Sequence, residues 1–402
     1  MEAVRESRLN AILTVVAICC GNAGPAMVYD ALPPVLPQVA AHFGGGSGGE
    51  VIAQAAIALA VFGMGLSGLV SAAIVARYGF RRTLLGGWLI FGLSGSAGLF
   101  IDSAEVLLAT RLLVGLMGGM LMTTAGLGIA ARYDDRGRAR MMGVNLAFGA
   151  FTAILFLFAA AAMAKLSWRA PFALHGMLAL VGLALVARAQ LPASRQSAVA
   201  AVRGSFWPAL LPALAAYGLI LVIVVTGNLF NVQIVFLLVS RGFSDPATLA
   251  TICAIMPLAL GLTNIIFGNI EARLGLTGTI ASAMALFVTG TLLCAALPSL
   301  ITTGIGMVAG GIALGLGTPS ALTLIMRKVD PQRMPTALSF ATTLIYTGGA
   351  MAPLAYLPLR RLVGHSGIYV AAAGIISIGL VIWSLQRLTA ARPPAFVQGG
   401  GL

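Results

Sequence analysis

Two ionisable residues stand where charge is costly. Asp30 and Arg111 each lie inside a long apolar stretch, and an aspartate or arginine at the middle of a membrane-spanning helix costs about 2.5 to 3.5 kcal/mol even on the mildest insertion scale. A carboxyl group in a low-dielectric cavity resists ionising, so Asp30 could load and release a proton. It also lies twenty residues after Asn10, between Pro25 and Pro33, where a solvated acid at a helix end is the plainer reading. Arg111 could attract an anionic group, pair with Asp30, or tie helix backbones together by bonding carbonyls. The second half of the chain has no equivalent charges, so a proton site would belong to the first half and face neutral polar groups. Asn22 and Gln54 from the first half, and Asn228, Asn231, Gln233, Asn264, Thr318, Ser320 and Tyr346 from the second, outline a mildly polar cavity. Taken singly, the plainer reading of each is a bond that ties helix to helix, at about 0.6 kcal/mol.

The elements that must position these residues follow from the composition. With 59% hydrophobic and 9% charged residues and a mean hydropathy of +1.00, the chain has lipid as its main solvent, against roughly 25% charged in an average soluble chain. A helix needs about 20 apolar residues to cross the hydrocarbon layer. Twelve stretches qualify, starting near Asn10, Val51, Thr83, Ala104, Met141, Ala170, Trp207, Ala247, Thr277, Ser299, Thr336 and Gly367. The expected fold is an all-α membrane protein of twelve transmembrane helices in two six-helix halves, 1–190 and 207–402, joined by a cytoplasmic linker at 191–206 that carries Pro192, Ser194, Arg195, Gln196 and Arg203. An even number of spans puts both termini on one side. Arg77, Arg81, Arg82, Arg132, Arg136, Arg138, Arg140, Arg273, Arg327 and Lys328 gather there, while Lys165, Arg169, Arg241, Arg360 and Arg361 fall opposite, so the termini are expected in the cytoplasm. The 24 Lys+Arg against 11 Asp+Glu are therefore topological, and nucleic acid is not an expected partner.

The same composition sets other chemistries aside. Cys19, Cys20, Cys253 and Cys294 fall inside apolar stretches and read as small apolar side chains. His42, His175 and His365 are scattered, with no helical pair for a metal. Gly63-Met64-Gly65-Leu66-Ser67-Gly68 has the letters of a dinucleotide fingerprint but lies inside a span, so it reads as helix packing. Gly44 to Gly49 reads as a flexible external loop. No lysine follows a glycine-rich loop in the manner of an ATP site. An enzyme would need convergent nucleophiles, bases or metal ligands, and no cofactor or metal is expected.

A short loop is written twice. Ala76-Arg77-Tyr78-Gly79 follows the second stretch, and Ala272-Arg273-Leu274-Gly275 follows the eighth, 196 residues later. The same offset carries Arg132 and Asp134 onto Lys328 and Asp330, and Gly115 and Gly119 onto Gly311 and Gly315. A period near half the chain, repeated in turns and helices alike, points to two homologous halves. Arg77, Gly79, Arg81, Arg82, Arg273 and Gly275 are the candidate conformational residues of this loop.

Four stretches on this topology resemble the major facilitator superfamily of secondary transporters. Ala72 to Arg82 is similar to the family's Gly-x-x-x-Asp-Arg-x-Gly-x-Arg-Arg signature, and Arg111-Leu112-Leu113-Val114-Gly115-Leu116-Met117-Gly118 to its Arg-x-x-x-Gly-x-x-Gly. Ser167-Trp168-Arg169-Ala170-Pro171-Phe172 resembles the Trp-Arg-x-x-Phe that opens span six. Tyr29-Asp30-Ala31-Leu32-Pro33 resembles the Asp-x-x-Leu-Pro stretch of the drug/proton antiporter branch. Two departures stand out: Ala76 and Ala272 replace the loop acid, with Glu271 one position earlier in the second copy, and span five lacks the antiporters' Gly-Pro motif. The resemblance implies a monomeric, multi-pass protein of the inner (plasma) membrane that exports a small amphipathic compound against protons by alternating access, with Asp30 and Arg111 at the proton site. The alternative is a facilitator or symporter for a small organic anion, with Arg111 as the anion's partner.

Overall fold

The computed structural model describes residues 2–30, 32–133, 135–191, 211–330 and 333–390. The expected linker, apart from Leu191, and Asp134 lie outside the described residues. All regular elements among the described residues are helical. In chain order they are α1 (Glu2–Cys20), α2 (Ala23–Asp30), α3 (Leu36–His42), α4 (Gly46–Tyr78), α5 (Phe80–Ser96), α6 (Ala104–Arg132), α7 (Asp135–Ala164), α8 (Ala173–Arg188), α9 (Leu214–Asn228), α10 (Ile234–Ser240), α11 (Pro246–Ala296), α12 (Leu300–Lys328) and α13 (Met334–Ala390). Eight helical runs among the described residues are long and apolar enough to cross a membrane.

Local chemistry sets the ends. Ser103 caps α6 by accepting from the Val106 amide at 3.3 Å. Asp245 caps α11, accepting from the amide and hydroxyl of Thr248 at 2.9 and 3.0 Å, and these bonds hold its carboxyl below the usual carboxylate range. Two helices far exceed one crossing. The 51 residues of α11 would run about 75 Å if straight, against a hydrocarbon layer of about 30 Å. Gly275 breaks α11 at φ 68°, ψ 164°, and Gly364 breaks α13 at φ 74°, ψ 178°. Gly79, between α4 and α5, has φ 80°, ψ 164°. Positive φ with extended ψ is open essentially to glycine alone, which explains why both copies of the Ala-Arg-x-Gly loop keep that residue.

One expectation is corrected here. The stretch Gly44 to Gly49 is not all loop, because α4 already begins at Gly46. A Cβ at Gly49 would run into the Ala40 carbonyl of α3, so glycine lets the start of α4 lie against the end of α3. Glu50 thereby becomes a helical residue in a fixed place.

The sequence repeat is also a packing repeat. A Cβ at Gly115 of α6 would meet the Ala60 carbonyl of α4, and one at Gly311 of α12 the Met256 carbonyl of α11. Met256 lies 196 residues after Ala60, the same offset as between the glycines. Lipid supplies no hydrophobic drive between helices, so backbone approach of this kind is what holds them. Around these contacts the N-terminal helices bury Leu84, Trp88, Phe91 and Leu121. The C-terminal helices bury Phe230 with Phe287 and Tyr369, ring centres 6.2 and 6.4 Å away. Outward faces are apolar as well, with Leu93, Leu180, Ile265 and Ile375 exposed, as expected of helices bathed in lipid.

Candidate functional site

The N-terminal and C-terminal helices meet along a seam, and its chemistry changes along its length. At the end where α3 meets α4, Glu50 forms an ion pair with Arg360 of α13. One helical turn further on, Gln54 meets Gln233 at 3.0 Å, and Gln233 Nε2 also lies 3.5 Å from the Pro353 carbonyl. Turning the Gln54 amide over exchanges its oxygen contact with Gln233 for another, in which Gln54 Oε1 accepts from Arg360 Nη1 at 3.2 Å. Gln54 and Gln233 are 0% and 1% exposed. The Arg360 guanidinium also lies 5.4 Å over the Phe236 ring. A single apolar cluster surrounds this group, joining Val35, Leu36, Ile57 and Val61 to Val232, Phe236 and Ala350.

Toward the opposite end the described residues cluster separately. Ile18, Ala125 and Ile129 gather Tyr133 and Met141, all from the N-terminal helices. Ile325, Val329, Ala337 and Ala341 belong to the large cluster of the C-terminal helices, which elsewhere also takes in Leu157 and Ala161 of α7, with the Tyr217 hydroxyl donating to the Ala337 carbonyl at 3.1 Å.

Midway along the seam, the ordinary helical ladder breaks. After Asn228 the backbone loosens into a π turn over Leu229–Gln233 before α10 resumes, a distortion frequent at functional sites. Two tyrosines hold it: Tyr356 Oη donates to the Val225 carbonyl at 3.0 Å, and Tyr369 Oη to the Leu229 carbonyl at 2.7 Å. Asn228 is 2% exposed, and neither atom of its amide has a partner; Asn231 Oδ1, Gln233 Oε1 and Ser320 Oγ are also buried without one. Across the seam Tyr346 Oη lies 3.5 Å from Met122 Sδ, and a Cβ at Gly349 would lie 3.3 Å from the Tyr29 hydroxyl and 3.4 Å from Val61.

The family model for the Major Facilitator Superfamily matches residues 18–353. The chain belongs to the major facilitator superfamily. It is therefore a multi-pass membrane protein of a transporter family. Among solved structures it is similar to the nucleoside transporter NupG, with a TM-score of 0.71 and 12% identity over 94% of this chain and 98% of that one. It is similar to the xylose transporter XylE from E. coli in a partially occluded inward-open conformation, at 0.67 and 12% over 97% and 100%. It also resembles the POT family transporter PepTSo, at 0.68 and 15% over 94% and 98%. No curated protein matches by sequence.

Within this superfamily fold the remaining sequence candidates fall in different places. Asp30 is the last residue of α2, and its side chain lies outside the described residues. Arg111 is 1% exposed, away from the seam. Its Nη2 donates to the carbonyls of Ser94 at 3.2 Å and Gly95 at 2.9 Å, and its guanidinium lies 4.8 Å over the Phe172 ring. Of the roles open to it, those contacts are the ones that tie α5 to α6. Asn22 likewise ties backbone to backbone, donating to the Asn145 carbonyl at 2.9 Å. Asn264 is exposed on α11 between Leu262 and Ile265, themselves 59% and 80% exposed, and is not brought to the Gln54–Gln233 group. Thr318 is half-buried and Ser320 fully buried on α12.

The superfamily's loop shows where its missing acid went. Glu271 bonds Arg327 at 2.6 Å, so an acid one position early pairs with the end of α12. The positions 196 residues before these two are Val75 and Ala131, which form no such pair. In the first copy Arg77 lies over the Tyr78 ring, Arg81 donates to the Ala187 carbonyl, and Arg132 donates to that of Gln190 at 3.3 Å. Arg82 and Arg273 are exposed. Sequence reasoning missed Glu50 and Arg360 as a pair. Both are charged, but 310 residues separate them, and only the seam brings them together.

Proposed function

We propose that this chain is a secondary transporter working by alternating access, in which the N-terminal and C-terminal helices rock about the seam to expose a mid-membrane site to each side in turn. The observation that carries this reading is the uneven seam. Polar bridges and a shared apolar cluster join the two groups of helices at the Glu50–Arg360 end, while at the other end, among the described residues, Ile18, Ala125 and Ile129 cluster with N-terminal residues alone. That is the pattern of a carrier closed on one side.

In this reading the glycine breaks at Gly79, Gly275 and Gly364 divide the helical runs into twelve spans, both termini face the cytoplasm, the linker at 191–206 crosses the cytoplasmic side, and the closed end is the outer one. The carrier acts as a monomer in the inner (plasma) membrane. It exports a small amphipathic compound in exchange for protons, with Asp30 as the proton-carrying carboxyl. One proton falling through 100 mV contributes about 2.3 kcal/mol, enough for about a 50-fold solute gradient. Arg111, held by carbonyls, supports the wall rather than an anion, which favours export of an uncharged compound over uptake of an organic acid.

The test is to lock the outer end. A protein carrying cysteines at 50 and 360, cross-linked with a bifunctional maleimide, should lose transport of labelled metabolites out of loaded vesicles, whereas the same protein before cross-linking should retain it. Undiminished transport after complete cross-linking would end the alternating-access assignment for this seam. Asp30→Asn should abolish flux driven by a pH gradient, and unchanged flux would remove Asp30 from the mechanism.

A further inference from the structure

Asn228 carries an inference about what the carrier recognises, and it rests on the reading that the seam opens around a mid-membrane site. Val224 stands four residues before Asn228 on one face of α9, and Val232 four residues after it, inside the π turn. Val224 packs on Gly348 and Gly349 of α13, and Val232 belongs to the apolar cluster shared by both groups of helices. Asn228 thus lies between a residue packed on Gly349, which itself meets Tyr29 and Val61 of the N-terminal helices, and a residue of the cluster shared across the seam.

A structural role would give the amide a partner, and the obvious partners are already taken. The carbonyls of Val225 and Leu229, beside the π turn, accept from Tyr356 and Tyr369, so the break is held without Asn228. Both Asn228 Oδ1 and Nδ2 remain buried and unbonded. Leaving a buried donor and a buried acceptor unmade is unfavourable, and a group kept in that state is matched to something that arrives. At the seam Tyr29 and Val61 of the N-terminal helices stand against Gly349 of α13, with Tyr346 one turn before it against Met122; these side chains offer apolar surface and hydroxyls.

We propose that Asn228 recognises a neutral solute through an amide-type edge, in which a hydrogen-bond donor stands beside an acceptor as in a lactam, urea or imide. The carboxamide presents Nδ2–H beside Oδ1, so the complementary ligand accepts at one atom and donates from its neighbour, while the body of the ligand lies against the tyrosines and valines. A carboxylate has no donor for Oδ1, and an ammonium has no acceptor for Nδ2.

The test uses the purified full-length protein in detergent, with 2-piperidone and uracil as amide-edge probes and benzoate and benzylamine as charged comparators. In the wild type the two amide-edge probes raise the melting temperature and the comparators do not. Asn228→Leu removes the unpaired amide, so the ligand-free protein should melt about 2–4 °C higher, while probe binding weakens about 10- to 100-fold. Asn228→Val repeats the measurement without overpacking. A lower melting temperature in both variants would make the amide a structural bond and overturn the proposal. So would an amide-probe shift that survives in both variants, an absence of any amide-probe shift, or a benzylamine shift abolished by Asp30→Asn. Binding in detergent does not depend on rocking, so continued transport after cross-linking 50 to 360 would remove the alternating-access reading alone.

Discussion

The Glu50–Arg360 pair makes a quantitative prediction about how tightly its end of the seam is held. Replacing Arg360 by alanine removes the ion pair, the contact with Phe236 and a donor to Gln54 in one step. Breaking a fully buried pair by deleting one partner costs about 3–5 kcal/mol, and a fully exposed pair about 0–1 kcal/mol. Here the Arg360 side chain is 7% exposed and that of Glu50 25%, which places the loss at about 2 kcal/mol, between those limits. In the proposed alternating-access cycle the loss falls on the closed state, since the partners separate when that end opens. At 1.36 kcal/mol per tenfold, the outer-open fraction should rise about 30-fold. Val232, 0% exposed within the shared cluster, is a suitable reporter. In a background with the four buried native cysteines replaced, Val232→Cys labelled by a membrane-impermeant maleimide from the outer side should react about 30-fold faster when Arg360→Ala is added. Adding Glu50→Gln as well should bring the rate back toward that of the parent, because no lone charge is then left at the seam. Equal labelling rates with and without Arg360→Ala would refute the idea that this pair governs the outer end.

Two further outcomes follow from contacts within each group of helices. Arg111→Leu leaves the carbonyls of Ser94 and Gly95 without their donor and should lower stability by about 1–3 kcal/mol, read as a fall in melting temperature; competition of transport by organic anions should not change, and a selective effect on anions would return Arg111 to the binding site. Glu271→Gln weakens a half-exposed pair with Arg327 worth about 1 kcal/mol or less. The melting temperature should barely move, so a large fall would show that the pair is a structural support of the second repeat.

How much was legible in the sequence depended on whether the signal was local. The repeat was readable because Gly115 and Gly311 must admit the backbones at Ala60 and Met256, and such a requirement fixes residue type at a fixed offset. The glycine of the twice-written loop was readable for a related reason, since its backbone conformation admits nothing else. Gln54 and Gln233 were both candidates, but their meeting across the seam joins residues 179 apart and leaves no mark in either local sequence. Arg111 shows the opposite difficulty. Its cost in a membrane was plain, yet whether the guanidinium meets carbonyls or a solute depends on where Ser94, Gly95 and Phe172 come to lie. Glu50 was hidden by its glycine-rich surroundings, which read as loop until the approach of α3 to α4 explains the glycines as contacts. The fate of the loop acid was equally out of reach, because Glu271 pairs with an arginine 56 residues away.

The arginine contacts at the end away from Glu50 have a consequence for how such a protein can change over time. Arg81 and Arg132 brace the N-terminal helices against the end of α8 and the residues just after it, and Arg327 braces α12 against α11. Each of these braces stays within one group of helices. Tyr356 and Tyr369 similarly hold the π turn from within the C-terminal group. In the proposed carrier, rigidity and selectivity are thus written in separate residues, so that an exchange at Asn228 or Tyr346 would alter what is carried while the two moving bodies keep their shape. A lineage built on this plan can acquire a new cargo by drifting along one narrow strip of the molecule.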